Sequence, residues 1–258
     1  MSIEEEVAKC SRIHDVLAEH WNWAYYDTEH SECSWLLAEY VERLKLDVES
    51  RVPVILNELE ELADENPKKT YSILDVGCGV GGFISNAIKL LSNKHEDVEF
   101  KATGIDISSD MISYAQTNLQ DTGVELVCDS ITNNTLKFEN EPFDVAVVMV
   151  TLSFYNDDNA GKVLKAIYEK LNNGGHLLVL DFAWTYIWSG FKLFSKPLQS
   201  LTDTFFSHLI GESFHFKNRT EDQLKDLIIG SGFEVVKAYL SEKKSKMKGM
   251  LVIRALKK

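Results

Sequence analysis

Cysteine is scarce and scattered in this chain: Cys10, Cys33, Cys78 and Cys128 are all it has, and no two form a C-x-x-C pair. That spacing excludes a disulfide framework and a structural zinc site, so no metal is expected. Positive charge is in deficit. The 27 Lys and Arg against 40 Asp and Glu leave a net charge of −13, which repels a phosphate backbone and makes nucleic acid a poor partner. The opening stretch MSIEEEV lacks the basic start and apolar core of a secretory signal, so reduced cytoplasm is the expected location. Long apolar runs are missing too. The richest, over 177–194, is interrupted by Asp181 and Lys192, and its first part reads as a strand, so a spanning helix is not expected. There are no internal repeats and no low-complexity tracts.

What is present suits a soluble α/β protein. The 258 residues, 45% of them hydrophobic, allow one domain with a substantial core or two small ones. The charge is uneven: residues 1–70 hold 17 acids and 7 bases, and residues 241–258 hold one acid and seven bases. The basic end reads as a solvated hairpin, with contact to an anionic surface as the alternative.

Residues 3–65 carry apolar positions at three- and four-residue steps and read as helices, a helical N-terminal cap over 1–69. The polar stretch Asp64–Thr70, with Pro67, reads as a domain-entry linker. From residue 70 to 258 the pattern alternates. Strands are expected over 71–77, 99–107, 124–129, 143–150 and 174–182, with helices over 82–91, 108–120 and 158–171 between them. Such alternation means a mostly parallel sheet wound by helices on both faces. Thr220 with Gln223 forms a capping-box start for a further helix. The last two strands, Phe233–Leu240 and 249–256, are joined by a loop too short for a crossover helix, so they should be antiparallel.

The stretch LDVGCGVGG, Leu74–Gly82, concentrates the functional signal. Its glycines fit G-x-G-x-x-G, the pattern that admits a pyrophosphate to a helix N-terminus, and would permit an NAD-type oxidoreductase. They also fit D-x-G-x-G-x-G through Asp75, Gly77, Gly79 and Gly81. Coulomb repulsion separates the readings: a carboxylate at the mouth of the turn disfavours phosphates and favours a cation. Asp106 at the end of the second strand can accept hydrogen bonds from two ribose hydroxyls, and Asp129 at the end of the third can approach an adenine amino group. Three acids at neighbouring strand ends describe a nucleoside that carries positive charge and no phosphate.

At this point the chain resembles the class I S-adenosylmethionine (SAM)-dependent methyltransferases over about residues 70–258. ILDVGCGVGG resembles their first motif, GIDIS the second, CDSIT the adenine-side segment, FDVAVVMVTLSFY the fourth strand and LNNGGHLLVLDF the fifth. The resemblance implies a doubly wound, Rossmann-like seven-stranded sheet with an antiparallel C-terminal pair, and SAM as cofactor. It places Asp75, Gly77, Cys78, Gly79 and Gly81 at the methionine part, with Asp75 at the ammonium. Asp106 falls on the ribose, Ile107 and Met111 on the adenine walls, and Asp129, Ser130 and Ile131 at the base edge. Met149, Val150 and Thr151 fall on the floor, and Tyr25 and Tyr26 join the cofactor set. Cys78 reads as a small filler, since nothing basic beside it would make a thiolate.

Methyl transfer from a sulfonium needs alignment and exclusion of water, and a base only where the acceptor must lose a proton. The candidates for base or orienter are Tyr155, His208 and His215, with Tyr25 and Tyr26. An insert after the fifth strand, 182–219, gathers Trp184, Tyr186, Trp188, Phe191, Phe194, Phe205, Phe206, Phe214 and Phe216. It reads as a satellite core, or as an aromatic lid over an apolar or planar acceptor. The insert could also lie on a membrane surface beside Lys192 and Lys196. Its place resembles the ubiquinone/menaquinone C-methyltransferase branch. The stretch MVTLSFY lacks the proline-containing run of exocyclic-amine DNA methyltransferases. A small-molecule acceptor is therefore expected, with a catalytically idle SAM sensor or scaffold as the other alternative.

Overall fold

The structure, a computed structural model, describes residues 1–26, 51–182, 217, 219–241 and 250–258, apart from the side chains of 20, 23–25 and 182. The aromatic insert with His208 and His215, the Tyr25 side chain, Cys33 and the basic loop over 242–249 lie outside the described residues. Helix α1 (Ile3–Tyr26) comes first, and a second helix, α2, covers 51–65. The body then runs β1 (Thr70–Val76), α3 (Gly82–Lys94), β2 (Glu99–Asp106), α4 (Ser109–Asn118), β3 (Glu125–Cys128) and β4 (Phe143–Met149). A short 3-10 turn (Thr151–Phe154) leads to α5 (Asp157–Lys170), β5 (Leu171–Phe182), α6 (Glu221–Gly230), β6 (Phe233–Leu240) and β7 (Met250–Lys257).

The seven strands lie in the order β3-β2-β1-β4-β5-β7-β6. β1 to β5 are parallel, while β7 enters between β5 and β6 and runs antiparallel to both. Alternation along β1 sends Leu74 and Val76 to the face covered by α5 and α6, where Leu164, Ile167, Leu224 and Ile228 are buried. Ile73 goes to the opposite face, beneath α2, α3 and α4, with Leu59, Ile84 and Ile112. Both faces are covered, which explains the nearly continuous apolar strands.

Local signals place the helix starts. Ser108 accepts from the Met111 N–H at 3.1 Å at the head of α4, Asn156 caps α5 through the Asn159 N–H, and Thr220 and Gln223 form the reciprocal box on α6. Several ends differ from the expected ones. β4 stops at Met149 because Val150 turns into the left-handed region at φ 62. β5 begins at Leu171, ahead of its glycines, because Leu171 pairs with Phe143. Helix α3 continues to Lys94 and α4 ends at Asn118. Among the described residues no helix is long and apolar enough to cross a membrane.

Candidate functional site

β1 carries Asp75 to the C-terminal edge of the sheet, paired with Gly104 of β2 and Val147 of β4. One step out of phase with Leu74 and Val76, its carboxyl faces the α3–α4 side, under the glycine turn. It is 1% exposed, and among the described residues neither oxygen has a hydrogen-bond partner. Burial first, and then the negative charge of Asp106, raise its pKa from 3.8 to about 8. The acid is therefore protonated at neutral pH unless a cation arrives.

The turn above it is built from positive backbone angles at Gly77, Gly79 and Gly81. At Gly77 the demand is steric as well: an added Cβ would stand 2.3 Å from Thr151 Oγ1. That hydroxyl donates to the Val76 carbonyl at 3.1 Å and lies 3.3 Å from that of Met149, tying the ends of β1 and β4 together. Gly79 differs, because a Cβ there would meet only Met111 Sδ, at 3.8 Å. Bare backbone at Gly79 thus faces room. Cys78 is buried with its thiol pushed well up, mainly by burial, and it fills the space left by Gly104. This agrees with an inert filler.

Asp106 takes the Gly79 N–H on Oδ2 at 2.8 Å and the Ser108 N–H on Oδ1 at 3.0 Å. Expected to face ribose hydroxyls, it first braces the glycine turn against the start of α4. Each oxygen keeps a lone pair for a further donor. Asp129 is likewise engaged, accepting from the Ser130 N–H at 2.6 Å and from Asn133 Nδ2 at 2.8 Å, so it caps its own turn. Met111 and Ile131 are buried, Met149 is half-buried at the end of β4, and Tyr26 packs against Ala18, Val80 and Met111 beside the turn. Val150, a β-branched residue at φ 62, is strained directly after β4. Tyr155 is buried close to Cys10 and Asp106, and burial pushes its phenol above the usual range. It remains a neutral hydroxyl, fit to orient a group rather than to take a proton.

Three features escaped sequence reading. Helix α1 lies across the edge of the sheet and is pinned at two points. Glu6 accepts from Asn156 N–H, Asn156 Nδ2 (2.8 Å) and Asn159 Nδ2 (2.8 Å) at the head of α5. Asp15 accepts from Ser108 Oγ at 2.6 Å at the head of α4. Ser11 donates to the Ile107 carbonyl at 3.0 Å, and Ala18 packs on Val80 and Met111. Second, Arg219 is buried and ties the turn after β4 to the head of α5. It donates to Asp157, to the Leu152 carbonyl (2.8 Å) and to the Tyr155 carbonyl (2.7 Å). Third, His14 lies against Phe154 with ring centroids 4.5 Å apart and the planes tilted by 58°. Only the α1 contacts left a trace in the sequence, since Ser11, Asp15, Ala18 and Asn22 share one helical stripe.

Residues 73–175 match the family model of a methyltransferase domain. The carboxy-S-adenosyl-L-methionine synthase of Psychrobacter sp. (strain PRwf-1) is 33% identical over 118 residues, 44% of this chain and 41% of that protein. The ubiquinone/menaquinone biosynthesis C-methyltransferase of Shewanella oneidensis is 27% identical over 175 residues, 64% of this chain and 66% of that one. The chain thus spans about two fifths of the length of the first curated relatives it matches. The crystal structure of magnesium protoporphyrin IX methyltransferase from Synechocystis PCC 6803 with bound SAH aligns at a TM-score of 0.67 and 14% identity, covering 98% of this chain and 100% of that one. At that identity the likeness is one of fold.

Proposed function

Because the chain belongs to the class I SAM-dependent methyltransferases, we propose that it moves a methyl group from SAM to a small, apolar or aromatic metabolite by in-line displacement. One observation supports the choice of cofactor above all. Asp75 is a buried carboxyl with no partner among the described residues, and Asp106 stands beside it. An ammonium or sulfonium would draw Asp75 into its ionised form, whereas the negative charge of Asp106 would oppose a pyrophosphate, which weighs against an NAD-type oxidoreductase.

The residues fit that ligand. Asp75 would receive the methionine ammonium, and the open backbone at Gly79 would let the methionine part approach, with Gly77, Cys78 and Gly81 shaping the turn. Asp106 would meet the ribose. Ile107 and Met111 would wall the adenine, with Asp129, Ser130 and Ile131 at its edge, and Tyr25 and Tyr26 are further members of the cofactor set. Met149, Val150 and Thr151 would form the floor below the reacting centre. When bound, SAM supplies a methyl carbon activated by a sulfonium, and the chain's part is to align the acceptor and keep water out. Tyr155 would orient the acceptor, and His208 and His215 in the insert are further candidates for that role.

Incubation with methyl-labelled SAM and a metabolite extract tests the acceptor class. Label in an apolar small-molecule fraction is expected. Label confined to RNA or protein would overturn the acceptor class, and label in no fraction would leave a SAM-binding scaffold.

A further inference from the structure

Resting on the methyltransferase reading above, we propose that His14 is the base that takes up the acceptor's proton during transfer. Its Nδ1 lies 2.9 Å from the Cys10 carbonyl oxygen, one helical turn earlier on α1. A carbonyl only accepts, so Nδ1 carries the hydrogen, and in the neutral ring the lone pair sits on Nε2. No hydrogen-bond or ion-pair partner occupies Nε2 among the described residues. The ring is thus held in the one tautomer whose outer nitrogen can receive a proton.

Its position is set from several sides. The ring lies against Phe154 at 4.5 Å and 58°, and Cys10 Sγ is 3.7 Å from the Phe154 carbonyl oxygen. Phe154 ends the 3-10 turn that begins at Thr151, directly after β4. His14 therefore lies against the far end of the turn that starts at Thr151, in the proposed floor of the methyl-transfer site. Ile13 and Leu17, buried beneath the partly exposed Phe154 and Trp21, give it an apolar flank. Glu6 and Asp15 fasten the helix on either side, so the ring is carried on a rigid element. Two candidate phenols, Tyr155 and Tyr26, are both held in the neutral form by burial, so neither offers a free base at neutral pH.

The step balances without a further reactant. The acceptor's oxygen or nitrogen forms its bond to the methyl carbon while the methyl–sulfur bond breaks and its electron pair goes to sulfur. The proton of the same O–H or N–H passes to Nε2, and the imidazolium returns it to solvent. This narrows the substrate class to acceptors whose reacting atom bears a proton.

The test compares wild-type protein, His14→Asn and His14→Ala with methyl-labelled SAM and a metabolite extract, alongside calorimetric titration of each with SAM. Asparagine can keep the hydrogen bond to the Cys10 carbonyl but has no basic nitrogen. SAM affinity within about two-fold in all three is expected, with transfer slowed on the order of 10²-fold in His14→Asn. Added imidazole should restore transfer by His14→Ala. A His14→Asn protein that transfers at the wild-type rate would overturn the role. So would a fall in SAM affinity as large as the fall in rate, because the ring would then only hold α1. Wild-type protein that binds SAM and labels no fraction would overturn the methyltransferase reading, and the role of His14 with it.

Discussion

Replacing Asp75 by asparagine should stabilise the ligand-free protein and weaken its grip on SAM. The first effect follows from linkage. In the unfolded chain an aspartate ionises near 3.8, whereas the folded protein holds its proton up to about 8. Between those limits the native state binds more protons, so stability is fully present below pH 4 and is lost as pH rises to 8. At about 1.4 kcal/mol per unit, the cost at pH 7 is on the order of 4 kcal/mol. Asparagine has nearly the same shape, cannot ionise, and is free of this slope. Urea unfolding of both proteins from pH 5.5 to 8 should therefore show the variant's advantage growing by roughly 3 kcal/mol over that range. SAM binding should move the other way. A cation drives Asp75 into its ionised form, so at pH 7 wild-type binding should release most of one proton from this group. Losing that charged partner should weaken binding by about 1.5–3 kcal/mol, roughly ten- to hundred-fold. Parallel stability curves for the two proteins, or equal SAM affinities, would refute the reasoning.

Other consequences are as direct. Gly77→Ala places a side chain at φ +77 and against Thr151 Oγ1, and should lower stability by at least about 2 kcal/mol, with part regained when Thr151→Ala is added; an unshifted thermal midpoint would contradict this. Asp106→Ala removes the acceptor of the Gly79 and Ser108 N–H groups, so it should both destabilise the fold and weaken SAM binding by about 1–3 kcal/mol. An unchanged dissociation constant would remove the ribose role. Glu6→Gln with Asp15→Asn should loosen α1 and expose Cys10, a buried thiol whose pKa burial pushes up to about 12. In a Cys33→Ser, Cys128→Ser background, its reaction with a disulfide reagent should rise at least about ten-fold. No rise would mean that these acids do not hold the helix.

Much of this was legible in the sequence because it is local. The strand–glycine–helix unit from Ile73 to Lys94 is set by neighbouring residues, as are the caps at Ser108 and Thr220. The antiparallel finish followed from loop length alone. The insertion of β7 between β5 and β6 was not legible, because pairing between distant strands leaves no local mark. At the site, Asp75 and Asp106 could be picked out as acids at strand ends. What the sequence could not show is that Asp75 has no partner among the described residues and that Asp106 already holds two N–H groups. Glu6 meets residues 150 and 153 positions away, and Arg219 meets a carbonyl 64 positions back. His14 reads as an ordinary helical histidine until α1 is laid on Phe154. Such long-range pairings are fixed by packing, not by spacing along the chain.

Titration calorimetry of the wild-type protein with SAM, its demethylated product and NADH is the most direct measurement of what the site at Asp75 and Asp106 accepts. Saturable binding of SAM or its product, with no heat from NADH, is expected of that site. Saturable binding of NADH with no response to either adenosyl compound would contradict it.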